Sequence, residues 1–192
     1  MGGLPAVFLD RDGTLHRELE HAPRTLAQLE FFAGVDESLA QLRQAGFALV
    51  LVTNQSSVAT GDVSIDELAR LNAALIARFQ LAGCYFCPHH PERGSPPYVR
   101  PCACRKPASG LFEFAARDLG LDLARSWIVG DAVRDVAAGL ALGLRAILVA
   151  TGKGELERQK LPAELAPRTL LEPDIAAAAR RILRETAGAQ GK

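Results

Sequence analysis

Short, almost purely apolar runs recur along this chain, and each is stopped by a polar residue. Ala6–Leu9 ends at Asp10, Ala48–Val52 at Thr53, Trp127–Val129 at Gly130-Asp131, and Ala146–Val149 near Thr151. Runs this short, apolar on both alternations and rich in β-branched residues, predict strands buried on both faces. Between them the apolar residues recur at helical spacing: Leu39, Leu42 and Ala45 before Gly46; Leu68, Leu71, Leu75 and Phe79 behind the capping box Ser64-Ile65-Asp66-Glu67. Leu111, Phe114, Ala115 and Leu119 precede Gly120, and Val136, Leu140 and Ala141 precede Gly143. Strands alternating with helices predict an α/β fold, a three-layer Rossmann-like arrangement of a parallel central sheet with helices on both faces. Residues from about 151 to 173, rich in Pro, Glu and Lys, read as surface loop, and Asp174 as the cap of a last helix carrying Ile175, Ile182 and Leu183. The 192 residues read as a single domain, 1–192, large enough to bury a core without disulfides.

Charge and hydropathy narrow the partners. With 22 basic and 22 acidic residues the net charge is zero, so no long-range field draws the protein to nucleic acid or an anionic membrane. No apolar run approaches the ~20 residues of a bilayer span. Leu4–Leu9 is too short for a secretory core, and Met1-Gly2-Gly3 opens like a myristoylation signal but has Ala6 where Ser or Thr is wanted. The expectation is a cytoplasmic protein, a monomer, acting on a small phosphorylated metabolite.

In open parallel sheets, ligands bind beyond the carboxyl ends of the strands. Asp10, Thr53 and Asp131 stand at three such ends and predict one site. In Asp10-Arg11-Asp12-Gly13-Thr14, residues two apart on extended backbone project to the same side, so both carboxylates can face one substrate. Asp10 suits nucleophilic attack on phosphorus, and Asp12 suits protonation of the leaving oxygen and later activation of water. The alternative is a solvated Asp-rich turn. Two anions beside a phosphate repel, by about 4 kcal/mol per unit pair at 4 Å and an effective dielectric of 20, so cations must be recruited. Asp131 with Asp10 would hold a hard ion such as Mg²⁺. Asp135, one helical turn on, either supports that ion from behind or serves its helix N-terminus. Lys106 supplies a second positive charge, Thr53 a hydroxyl and Asn54 an amide.

The ordered set Asp10-x-Asp12-Gly13-Thr14, Thr53-Asn54-Gln55-Ser56, Arg105-Lys106-Pro107 and Gly130-Asp131-x-x-x-Asp135 resembles the haloacid dehalogenase (HAD) superfamily of phosphatases over roughly residues 5 to 150. The resemblance implies Asp10 as nucleophile and Asp12 as acid/base. It implies Thr53, Asn54, Gln55, Ser56, Arg105 and Lys106 as phosphate and substrate contacts. It also implies Mg²⁺ held by Asp10, the Asp12 backbone carbonyl and Asp131.

Cys87-Pro88-His89 and Cys102-Ala103-Cys104 give two ligand pairs suited to a tetrahedral structural zinc, in a segment poor in apolar anchors. Without a secretion signal, metal binding outranks disulfides. Cys87, His89, Cys102 and Cys104 are the expected ligands; Cys84 is the competing fourth ligand, though its neighbours Leu81 and Tyr85 suggest a packed thiol instead, and His90 rivals His89. A zinc loop over about residues 84–106, in place of a large cap domain, resembles the D-glycero-D-manno-heptose 1,7-bisphosphate phosphatases and the related histidinol-phosphate phosphatases. That branch implies a substrate-recognition role for Arg105, whose planar fork suits a second phosphate. Many of its members have Asn where His16 stands, Gly at Ser57 and Lys at Ala132, and the His16–Phe32 segment is an unusual substrate loop. A nucleic-acid 3′-phosphatase or a zinc-stabilised binding module without turnover are the alternatives.

Overall fold

Alternation along the strands decides the layers of this fold. The computed structural model describes residues 3 to 190; the Met1-Gly2 opening lies outside the described residues. Chain order is β1 (Ala6–Leu9), α1 (Val35–Gln44), β2 (Ala48–Asn54), α2 (Ser57–Thr60), α3 (Ile65–Phe79) and β3 (Gly83–Cys87). Then follow α4 (Gly110–Leu119), β4 (Trp127–Gly130), α5 (Val133–Ala141), β5 (Arg145–Val149), α6 (Gly154–Arg158), β6 (Thr169–Glu172) and α7 (Ile175–Gln190). Val7, Leu9, Leu49, Leu51, Val129 and Ile147 point to one face, where α1, α3 and α7 cover them. Their neighbours Ala6, Phe8, Val50, Ile128, Ala146 and Leu148 point to the other, under α4 and α5. A period of two on strands buried on both sides makes this division unavoidable. Each fully buried Leu, Val, Ile or Phe contributes about 1.5–3 kcal/mol. Phe8 packs on Phe112 with ring centroids 5.0 Å apart, so Phe8→Ala would cost about 3–5 kcal/mol.

All strand pairs are parallel, in the order β3-β2-β1-β4-β5-β6. The chain winds outward from β1 to β3, returns to lay β4 against the open side of β1, and winds outward again. The switch therefore lies between β1 and β4, where a crevice opens beyond the strand tips. Asp10 and Asp131 are the residues directly after those two strands.

Two strands were not expected. The edge strand β3, Gly-Cys-Tyr-Phe-Cys, is only half-buried and lacks the β-branched run that marks the others. The other edge strand, β6, buries only Thr169 fully, so its alternation is faint. Residues 151–173, expected to be surface loop, thus hold α6 and β6. Within α4 the buried stripe is Leu111, Phe112 and Ala115, while Phe114 is 41% exposed. The capping box of α3 is present: Ser64 Oγ accepts from Glu67 N at 3.2 Å and the Glu67 carboxylate accepts from Ser64 N at 2.8 Å.

Candidate active site

The β1 and β4 tips bring three carboxylates to one point. Oxygens of Asp10, Asp131 and Asp135 all lie within 4.8 Å of one another, and all three residues are buried. Lys106 Nζ reaches into this cluster, 2.8 Å from Asp10 Oδ1 and 2.8 Å from Asp135 Oδ1, and donates to the Val52 carbonyl at 2.7 Å. Burial alone would push the ammonium down, but Asp10 and Asp135 outweigh it and keep Lys106 charged. Asp10 is pushed up, first by burial and then by Asp135 and Asp12, with Lys106 opposing. Asp131 is pushed up to about 7, by burial and then by Asp10. Its Oδ2 accepts from Lys153 N at 2.9 Å, while its Oδ1 is buried without a partner. Three carboxylates against one ammonium, with an orphaned oxygen facing inward, form a donor set that fits a hard divalent cation.

Close approach of backbone makes this cluster possible. Gly13 has φ of 78°, and a Cβ there would sit 2.1 Å from Asp131 Oδ2. Any side chain at 13 would be strained and would expel the Asp131 carboxylate. Asp135 serves its helix N-terminus, as Oδ2 accepts from Ala132 N at 3.0 Å at the start of α5, and its Oδ1 pairs with Lys106.

Asp12 sits beside this cluster in a different field, its side chain 28% exposed. Arg11 Nε donates to Asp12 Oδ2 at 3.1 Å and Arg11 Nη2 to Asp12 Oδ1 at 3.2 Å. Gln55 Nε2 donates to Asp12 Oδ2 at 2.7 Å, and His16 Nε2 lies 3.6 Å from Oδ1. Burial would raise this carboxyl, but Arg11, His16 and the hydrogen bonds from Arg11 and Gln55 hold it below the usual carboxylate range. The two carboxyls of one Asp-x-Asp segment are thus pushed apart, Asp10 up and Asp12 down. These directions are opposite to those of an attacking carboxylate and a proton donor, and a divalent cation on Asp10 would reverse its shift. The cleft above them, about 440 Å³, is lined also by Arg105, Arg134, Lys153, Glu18 and Ser56.

A second cluster lies beyond β3. Cys87 Sγ is 3.5 Å from Cys102 Sγ, Cys104 Sγ is 3.3 Å from Cys102 Sγ, and His89 Nδ1 is 3.6 Å from Cys87 Sγ and 3.4 Å from Cys104 Sγ. Tetrahedral zinc with Zn–S bonds of 2.3 Å has ligand–ligand edges of about 3.7 Å, so these atoms fit such an ion. His90 is turned elsewhere: its Nδ1 accepts from the backbone of Glu92 and Arg93. Cys84 stands outside the cluster as a half-buried thiol that burial pushes up to about 12. Arg105, directly after Cys104, donates from Nη1 to the His89 carbonyl at 3.0 Å, which fixes its root to this loop.

Known proteins are similar to this chain in sequence and in fold. The HAD-hydrolase-like family model matches residues 103–178. A D-glycero-beta-D-manno-heptose-1,7-bisphosphate 7-phosphatase of Haemophilus ducreyi is 38% identical over 178 residues, 88% of this chain and 96% of the relative. The chain belongs to the heptose-bisphosphate phosphatase family of HAD-like hydrolases. The phosphatase of the same name from Vibrio cholerae is 41% identical over 155 residues, 78% of this chain and 83% of its own. Among solved structures of the family, the D,D-heptose 1,7-bisphosphate phosphatase from B. bronchiseptica, complexed with magnesium and phosphate, matches with a TM-score of 0.80 at 30% identity, covering 95% of this chain and 99% of its own. That from Burkholderia thailandensis matches with a TM-score of 0.66 at 26% identity over 93% and 98%.

Against the sequence expectations for a phosphatase of this family, Asp10, Asp12 and Thr53 line one cleft, and the buried Lys106 and Asp131 meet Asp10 at its edge without lining it. Asn54 brackets Lys106 instead of facing outward: its Oδ1 accepts from Lys106 N at 3.0 Å and its Nδ2 donates to Lys106 O at 3.1 Å. Gln55 is committed to protein partners, and Ser56 lines the cleft. Cleft-lining residues that the sequence reading gave no role include Arg11, Glu18, Arg134 and Lys153, and His16 meets Asp12 from a buried position. Arg11 and His16 are buried polar residues beside the Asp-x-Asp segment, and only their burial distinguishes them from surface charges. Among the described residues no helix is long and apolar enough to cross a membrane.

Proposed function

We propose that this chain, acting as one domain, hydrolyses the C7 phosphate of a manno-heptose 1,7-bisphosphate, the β anomer that names its curated relatives. The observation that carries the reading is Lys106 Nζ, 2.8 Å from Asp10, beside two further carboxylates at the β1/β4 switch point. Asp10, Asp131 and the Asp12 backbone carbonyl would hold Mg²⁺, with Asp135 behind them. When bound there, the ion neutralises charge on the phosphoryl group and orients it. Cys87, His89, Cys102 and Cys104 would hold a structural zinc.

An Asp10 carboxylate oxygen attacks phosphorus, the bond from phosphorus to the C7 oxygen breaks, and Asp12 delivers a proton to that oxygen. Asp12, now a carboxylate, takes a proton from water as the water oxygen attacks the aspartyl phosphate. The bond between Asp10 and phosphorus breaks, and inorganic phosphate leaves. Lys106 and the Thr53 hydroxyl stabilise the phosphoryl oxygens throughout. Arg105, rooted on the His89 carbonyl at the cleft rim, meets the second phosphate of the substrate.

Phosphate release by purified protein with Mg²⁺ tests this on both heptose bisphosphate anomers, histidinol phosphate and common sugar phosphates. The β-heptose bisphosphate is expected to exceed histidinol phosphate in kcat/KM by at least ~100-fold, because a site that hydrogen-bonds sugar hydroxyls leaves its polar groups unpaired against a substrate without them. No release from any phosphosugar would sink the reading. A higher value for histidinol phosphate would move the chain to that substrate.

A further inference from the structure

We propose that Arg11 and Gln55 form a clamp that fixes the orientation of Asp12 without touching the substrate, so that both are positioning residues for the acid–base step. The inference deepens the reading above and rests on the role given there to Asp12. Its ground is a connected set of hydrogen bonds at the cleft border, in which Arg11 Nη1 alone has no partner among the described residues. Gln55 Oε1 accepts from Arg11 Nη2 at 2.8 Å, and Gln55 Nε2 donates to Asp12 Oδ2 at 2.7 Å and to Thr53 Oγ1 at 2.9 Å. A carboxamide has two N–H donors, so the Gln55 nitrogen is saturated by protein and has none left for a phosphate oxygen. Its backbone is fixed as well, since Gln55 N donates to the Cys87 carbonyl at 2.7 Å.

Arg11 completes the clamp from the other side. Its side chain is 1% exposed, so the guanidinium has left water and its attachments decide where it sits. Nε and Nη2 grip the two Asp12 oxygens, and the second hydrogen of Nη2 goes to Gln55. Asp12 therefore has a neighbour on each oxygen, while its exposed part remains open to the cleft. A free aspartate side chain samples several rotamers, and a displacement of 1 Å at a reacting group can cost about 100-fold in rate. Holding one rotamer is what this network does.

The test is a leaving-group comparison. Expulsion of a sugar alkoxide needs a proton from Asp12, whereas p-nitrophenolate leaves without one. Gln55→Met keeps the shape and removes the hydrogen bonds. It is expected to lower kcat on the heptose bisphosphate by about 10–100-fold with KM within about twofold, and to change kcat/KM on p-nitrophenyl phosphate by less than about threefold. Arg11→Lys is expected to follow the same pattern; if that buried variant does not fold, Gln55→Met carries the test alone. A rise in KM at unchanged kcat would make Gln55 a substrate contact and overturn the clamp. So would equal losses on the two esters. Asp12→Asn, assayed alongside, separates the two levels: selective loss on the sugar phosphate there but not in Gln55→Met defeats only the clamp. No selective loss in Asp12→Asn defeats the acid–base reading itself.

Discussion

The carboxylate cluster takes its members from residues 10, 131 and 135, whereas the Cys–His cluster takes all of its own from residues 87 to 104. The first is assembled by the sheet: parallel pairing of β1 with β4 sets the distance between Asp10 and Asp131 whether or not an ion is present. Burial first and mutual repulsion second raise Asp10 and Asp131, and one Asp131 oxygen is left without a partner among the described residues. The second runs from the end of β3, at Cys87, into a loop with few buried apolar residues, which is tied down by local hydrogen bonds such as Arg105 to the His89 carbonyl and by the convergence of its own thiols and His89. A site held by a sheet loses chemistry when a member is removed. A site held by its ion loses structure first.

The sharpest way to break that contrast is Asp10→Asn. The Asn keeps the size of the side chain and removes the nucleophile, so turnover is expected to fall by roughly 10⁴-fold or more. Lys106 keeps Asp135 as its partner, so the melting temperature is expected to move by no more than about 4 °C. Collapse of the fold would show that the carboxylate cluster is structural. Cys102→Ser is the reciprocal experiment. Metal analysis is expected to show loss of zinc and thermal melting a drop of roughly 5 °C or more, with the p-nitrophenyl phosphatase activity less affected. Unchanged zinc content would remove Cys102 from the ligand set.

Metal and pH sharpen the contrast further. A carboxyl raised in the folded state means that the folded protein binds protons more tightly than the unfolded chain. For Asp131 this lowers the stability of the metal-free protein as pH rises from the ordinary carboxylate range to about 7, with Asp10 acting in the same direction. Mg²⁺ binds the deprotonated oxygens, so its stabilising effect runs the other way. The difference in melting temperature with and without Mg²⁺ is expected to grow between about pH 6 and pH 8. A difference independent of pH would mean that these carboxylates do not bind the ion.

What the chain discloses before folding divides along the same line. Asp10, Thr53 and Asp131 were legible because each ends a buried strand, and strands apolar on both faces leave a strong local mark. The Cys–His cluster was legible as two residue pairs, although only the fold distinguishes His89 from His90, through the direction in which each ring turns. The edge strands β3 and β6 were not, because a strand with one covered side needs fewer apolar residues. The partnership of Arg11 with Gln55 was invisible for another reason. It spans 44 positions and depends on the register of β1 against β2, which no local pattern states.

Arg105 is where the two clusters meet, and it gives the smallest expected effect. Arg105 lines the cleft, yet its Nη1 hydrogen bond goes to the carbonyl of His89, a member of the Cys–His cluster. Lysine in its place keeps the charge and loses the planar fork, so it can reach one oxygen but cannot hold both a phosphate and the loop carbonyl. Arg105→Lys is expected to raise KM for the heptose bisphosphate by about 5–30-fold at near-constant kcat, the size of one or two charge-assisted hydrogen bonds. The same change is expected to leave KM for a monophosphate ester within about twofold. Equal shifts on both substrates would place Arg105 at the transferred phosphate. A loss of zinc in the same variant would make it a support of the loop and remove it from recognition.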